Sequence, residues 1–243
     1  MRSGSIGRYL TTAVFVGIFT LMVGTAPAHA DIVFTMDQVF SGDVPSSTSP
    51  FATATFHSVN STTVTLTLQA SLESATEFIT EWGFNSSNLN ITLVMNSCTG
   101  GCQLANNGIG LPGGTGDQYQ ADGDGKYDFQ VVFASSNANG GVARFNGTDI
   151  AVFTITGTGI SEATFSGLSA PGGNAGGPFN SALHIQGIDE SCSGWVGNSA
   201  AGGASNDVGG PCTPSVPEPS SLLLLGSGLA TLGSLSLLRR KRG

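Results

Sequence analysis

Basic residues are nearly absent from most of this chain. Between residues 31 and 216 only Lys126 and Arg144 carry a fixed positive charge, against fifteen Asp and Glu, which leaves a net charge of −13 there. Such a surface repels phosphate backbones and anionic membrane, so nucleic-acid binding is excluded. It attracts divalent cations instead. Histidine is equally scarce, with only His57 and His184 beyond residue 30. There is no H-E-x-x-H, no G-x-S-x-G and no glycine-rich phosphate loop with its lysine, so the common metalloprotease, hydrolase and nucleotide-binding signatures are missing. No long run of helical periodicity precedes Ser220, which argues against a helical domain. The four cysteines form no paired C-x2-C, so a zinc site is disfavoured.

What is abundant is glycine, 36 of 243 residues, about twice the usual share. It clusters in 99–125, 171–178 and 194–210, which read as loops. Between the loops the period is two. Val64, Leu66 and Leu68 alternate with Thr63, Thr65 and Thr67, and Tyr127, Phe129, Val131 and Phe133 alternate with smaller or polar neighbours. "DIAVFTIT", 149–156, suits a strand buried on both faces. Further strands are expected near 32–39, 51–58, 77–85, 89–95, 162–168 and 182–188, with a short helix near 71–77. The implied fold is all-β, a β-sandwich with jelly-roll or Greek-key-like connections. Trp82, Phe84 and Trp195 read as core or loop-packing residues, and both histidines as structural.

The ends differ from the middle. Arg2 and Arg8, the apolar stretch 10–23 and the small-x-small site Ala28-His29-Ala30 form a secretory signal peptide, so residues 1–30 are expected to be removed. At the other end Val216-Pro217-Glu218-Pro219 is followed by an uncharged run, 220–238, and then by Arg239, Arg240, Lys241 and Arg242. As a helix the run would reach roughly 28 Å, about one bilayer core. The cations would hold its end in the cytoplasm. The exported domain is then 31–215 and the tail 216–243.

Cys98, Cys102, Cys192 and Cys212 all lie in the exported part, where an even number suggests disulfides. Three pairings are possible, and proximity favours Cys98–Cys102 with Cys192–Cys212. The second would contribute roughly 3 kcal/mol by loop closure. One metal site is suggested. "QADGDGKYD" places Asp122, Asp124 and Asp128 around a glycine turn, an oxygen-rich spacing suited to calcium.

The order proline motif, marginal helix, basic end resembles the PEP-CTERM sorting signal of exported proteins in exopolysaccharide-producing Gram-negative bacteria. The resemblance covers about the last 28 residues. It implies passage through the secretion machinery, a transient stop in the inner membrane and recognition by exosortase, a membrane-embedded cysteine transpeptidase-like enzyme that removes the helix and tail. A similar segment is also met on proteins labelled ice-binding, a label that describes the tail. "EFITEWGFN" and "LHIQGIDESCSGWVG" resemble stretches of other β-rich PEP-CTERM proteins. The D-x-D-G-x-x-D spacing resembles the second half of dockerin, thrombospondin and integrin-type calcium loops, except that Gln120 stands where those carry an Asp. The favoured function is a non-catalytic envelope or matrix protein in exopolysaccharide or biofilm organisation. The alternative is a carbohydrate-binding or carbohydrate-processing domain. A hydrolase would need two carboxylates facing across a cleft, for which Glu73, Glu77, Glu81, Asp189 and Glu190 are candidates.

Overall fold

The computed structural model describes residues 30–121, 125–136, 143–171, 177–189, 191–199 and 207–208. The signal peptide and the tail, with its expected transmembrane helix, lie outside them. Among the described residues no helix is long and apolar enough to cross a membrane.

The described chain is β-rich, in antiparallel sheets. A five-stranded sheet runs β1 (Ile32–Met36), β3 (Ala52–Asn60), β4 (Thr63–Ala70), β11 (Ile150–Thr156), β6 (Thr92–Cys98). A seven-stranded sheet runs β15 (Asp207–Val208), β2 (Gln38–Gly42), β14 (Cys192–Gly197), β13 (Ser181–Ile188), β5 (Phe78–Phe84), β10 (Phe129–Phe133), β7 (Leu104–Gly110). All pairs in these two sheets are antiparallel except β15 on β2. The chain crosses repeatedly between the sheets, and one hydrophobic core draws on both. Phe34, Phe56, Leu66 and Phe153 come from the first; Trp82, Phe84, Phe129 and Leu183 come from the second. Phe56 bridges them, edge-on to Phe84 at 5.5 Å and stacked on Phe165 at 4.6 Å. Alternation produces this directly, since successive residues of a strand point to opposite faces.

The outward face of the five-stranded sheet is a lattice of Thr53, Thr55, Thr63, Thr65, Thr67, Thr92, Thr154 and Thr156, broken by Val33, Val94 and Val152. β-Branched residues suit an exposed pleated surface. Their hydroxyls meet across strands, as in Thr92–Thr156 at 2.6 Å. β11 therefore buries one face only, in contrast to the two-sided burial its apolar run suggests.

A third, small sheet lies over the outward face of the larger one. It comprises β8 (Tyr119–Ala121), β9 (Gly125–Tyr127) and β12 (Ala170–Pro171). Beneath it Phe40, Ala121, Tyr127, Phe179 and Ala182 form a second core. Gly83 and Gly197 make room for this lid. A Cβ on Gly83 would stand 2.9 Å from the Tyr127 ring, and one on Gly197 would stand 2.6 Å from Phe179.

Several expected elements differ. The strand expected at 162–168 is a 3-10 turn, Glu162–Phe165, held by a capping box between Ser161 and Thr164. No helix forms at 71–77: the Thr76 amide donates to the Ser74 hydroxyl at 3.4 Å, where a helix would have it donate to the Leu72 carbonyl. The 32–39 and 127–133 runs each split between sheets, at Asp37 and at Asp128. β7, β8 and β14 arise within stretches read as glycine loops.

Candidate functional site

Asp128 stands at the corner where the chain leaves the small sheet for the large one. Its amide bonds Phe84 O at 2.9 Å. Its carboxylate accepts from the Ser86 amide at 2.7 Å and the Asp117 amide at 2.9 Å. Asp117 and Gly116 both have positive φ, so Asp128 closes an unusual turn. Asp122 and Asp124, the other proposed calcium ligands, lie outside the described residues. Asp128 directly follows Tyr127, which pairs with Tyr119 in the β8–β9 ladder. Among the described residues no three metal-ligating side chains gather.

Cys98 and Cys102 stand at disulfide distance, with Cα atoms 5.6 Å apart. Cys192 is disulfide-bonded and buried; Cys212 lies outside the described residues.

The candidate hydrolase carboxylates are dispersed. Glu77 is fully buried, its carboxylate taking the Ser46 amide at 2.6 Å, the Ser46 hydroxyl at 2.8 Å and the Ser47 hydroxyl at 2.8 Å. Glu73 is exposed and uses its amide on Ser47. Asp189 occupies a turn with φ 44°. Glu190 lies outside the described residues.

Glu81 is different, because it faces outward from the middle of the seven-stranded sheet. Register places Trp195 on β14, His184 on β13 and Glu81 on β5 side by side in one row. Trp195 stacks on His184 at 4.7 Å with planes 16° apart, and the imidazole is held by Thr80 Oγ1 at 3.1 Å from Nδ1. Toward the lid, Glu81 shares a shallow depression with Gln130, Tyr119, Gln120, Tyr127 and Trp195. Tyr119 is fixed by its hydroxyl, which donates to Leu111 O at 3.0 Å. Among the described residues the side chains of Glu81 and Gln130 and the indole nitrogen of Trp195 have no hydrogen-bond partner. Burial pushes the Glu81 carboxyl above its ordinary range. Glu81 is also the one carboxylate among the described lining residues.

An aromatic platform beside unanswered polar groups is an arrangement suited to a hydroxyl-rich ligand. Of its parts, Glu81 was a candidate carboxylate in the sequence, whereas Trp195 read as core or loop packing and His184 as structural. Their alignment depends on β14, a strand hidden in a glycine-rich stretch. Trp82 and Phe84 are fully buried core residues, and Trp82 Nε1 donates to Ser181 Oγ at 2.7 Å. His57 faces outward from β3 in the other sheet, 2.6 Å from Asp31.

A β-rich domain followed by a proline motif, an apolar run and a basic end defines a protein sorted at its C-terminus. The tail gives the particular system: residues 215–242 match the PEP-CTERM protein-sorting motif. The motif implies export, membrane-associated sorting and recognition by exosortase. No curated protein and no solved structure matches the chain.

Proposed function

We propose that this chain is a non-catalytic envelope or matrix protein that exosortase releases from the inner membrane. Its β-sandwich domain then contacts saccharide across the outward face of the seven-stranded sheet. The observation that carries the saccharide reading is the Trp195–His184 stack beside Glu81 and Gln130, whose polar atoms lack partners within the described residues. Saccharide hydroxyls supply donors to Glu81, and the C–H face of a sugar ring supplies a flat apolar surface to the aromatic rings. Contact with exopolysaccharide is what would give the domain its part in biofilm organisation.

Two measurements test this. Intact mass spectrometry of the envelope-associated protein, from a host with exosortase, should find a chain ending near Pro217–Pro219. A wild-type product still carrying Leu222–Arg242 would make the tail an ordinary anchor. Binding of a neutral glycoside should weaken at least tenfold in Trp195→Ala, and equal binding would remove the platform.

A further inference from the structure

The same face continues one row beyond Trp195. Register sets Ser193, Gln186 and Phe78 side by side, two positions along their strands from Trp195 and His184 and adjoining Glu81 across a bulge at Thr80. The two rows are roughly 7 Å apart. Above Phe78 lies Arg144, its guanidinium 3.9 Å from the ring centroid.

Arg144 is anomalous for this molecule. The exported part holds fifteen carboxylates and two fixed cations. In such an excess an arginine ordinarily meets an acid. Among the described residues Arg144 has no carboxylate within ion-pair distance. Its Nε donates to Ser135 O at 2.9 Å. That bond and the Phe78 ring fix the plane of the group and leave Nη1 and Nη2 without acceptors among the described residues. A guanidinium held in this way is a preoriented donor fork, matched to a carboxylate.

The fork borders a cleft of about 590 Å³, lined also by Thr76, Gln186, Ser191 and Ser193. This is within the usual range for small-ligand sites. Arg144 is the only charged residue among the described residues lining it. Gly187 permits the cleft wall, since its φ is +77° and a side chain there would strike the Thr76 carbonyl.

We infer that the Arg144 cleft binds the carboxylate of an acidic saccharide, so that this face selects sugars bearing isolated carboxylates over neutral ones. The inference rests on the saccharide reading above. Its logic is polarity. Glu81 only accepts at one end of the surface, and Arg144 only donates at the other. An acidic sugar presents hydroxyl donors and a carboxylate about one ring apart. A neutral sugar leaves the fork unanswered. A polyanion works against the −13 charge of the domain, so carboxylates separated by neutral units fit best.

The test uses the exported protein, titrated by calorimetry or NMR with methyl β-D-glucuronide, methyl β-D-glucoside and acetate. The glucuronide should bind at least tenfold tighter than the glucoside. Arg144→Gln should bring the glucuronide down to the glucoside's level. Arg144→Lys, which keeps charge but loses the fork, should lose most of the preference while melting normally. Equal affinity for both glycosides in the wild type would overturn the acidic preference and leave the saccharide surface standing. Acetate competing as well as the glucuronide would overturn it too, by making the cleft a simple carboxylate site open to peptide chain ends. Binding of neither glycoside would overturn both readings.

Discussion

Removing the Glu77 carboxylate should unfasten two loops at once. Glu77 is fully buried and collects three donors from Ser46 and Ser47, residues thirty or so positions earlier. Ser47 in turn accepts the Glu73 amide at 2.8 Å. In Glu77→Ala the Ser47 hydroxyl, itself buried, loses its acceptor at about 1–3 kcal/mol. Ser46 is exposed, so its amide and hydroxyl turn to water and cost about 0.5–1.5 kcal/mol each. The sum is about 2–6 kcal/mol, or roughly 4–24 °C in Tm for a domain of this size. Glu77→Gln retains one carbonyl acceptor for Ser46 but points an amide donor at the Ser47 hydroxyl, so about half that loss is expected. Urea and thermal unfolding measure both. Thr76 and Phe78 flank Glu77 and line the Arg144 cleft, so glucuronide binding should weaken in parallel with stability. A loss below about 1 kcal/mol in Glu77→Ala, or equal losses for Ala and Gln, would refute the three-donor account.

The Glu81 carboxyl, raised by burial, binds a proton in the folded protein at a pH where the unfolded chain has released it. Stability therefore falls as pH rises from the ordinary carboxylate value through the folded one. Glu81→Gln should raise Tm at pH 7 by an amount that shrinks toward pH 4, and no gain at pH 7 would contradict the shift. For calcium, Asp124→Ala should abolish the ion-induced rise in Tm and leave the calcium-free Tm nearly unchanged. Asp128→Ala should cost about 1–3 kcal/mol of stability with or without calcium, because it strands two amides. An intact calcium response in Asp124→Ala would remove the site.

Strong alternation made β3, β4 and β10 legible, since each has one wet and one dry face, whereas the apolar run of β11 suggested two dry faces where there is one. The period says nothing about sheet membership. It runs unbroken from Tyr127 to Phe133, yet Asp128 turns the chain from one sheet to another by capturing amides from 11 and 42 residues away. Strands such as Leu104–Gly110 lack the pattern altogether. β7 is an edge strand with exposed residues on it, so its pairing comes from β10 and not from its own apolar content. The binding face was illegible for the same reason. Glu81, Arg144 and the His184–Trp195 pair are far apart in sequence, and only the registers of β5, β13 and β14 align Glu81 with that pair. Arg144 did stand out in one respect, as half of the cationic charge in an acidic domain.

β15 fixes the edge of the domain from which the tail departs. Its two residues clasp the β2 edge, and only eight residues lie between Val208 and Pro217. Fully stretched, that leash reaches roughly 30 Å, while a domain of this length has a radius of gyration of about 16 Å. During membrane-associated sorting the motif therefore stays within about one domain diameter of the β2–β15 edge. The sorting motif is thereby kept close to a folded, strongly acidic domain.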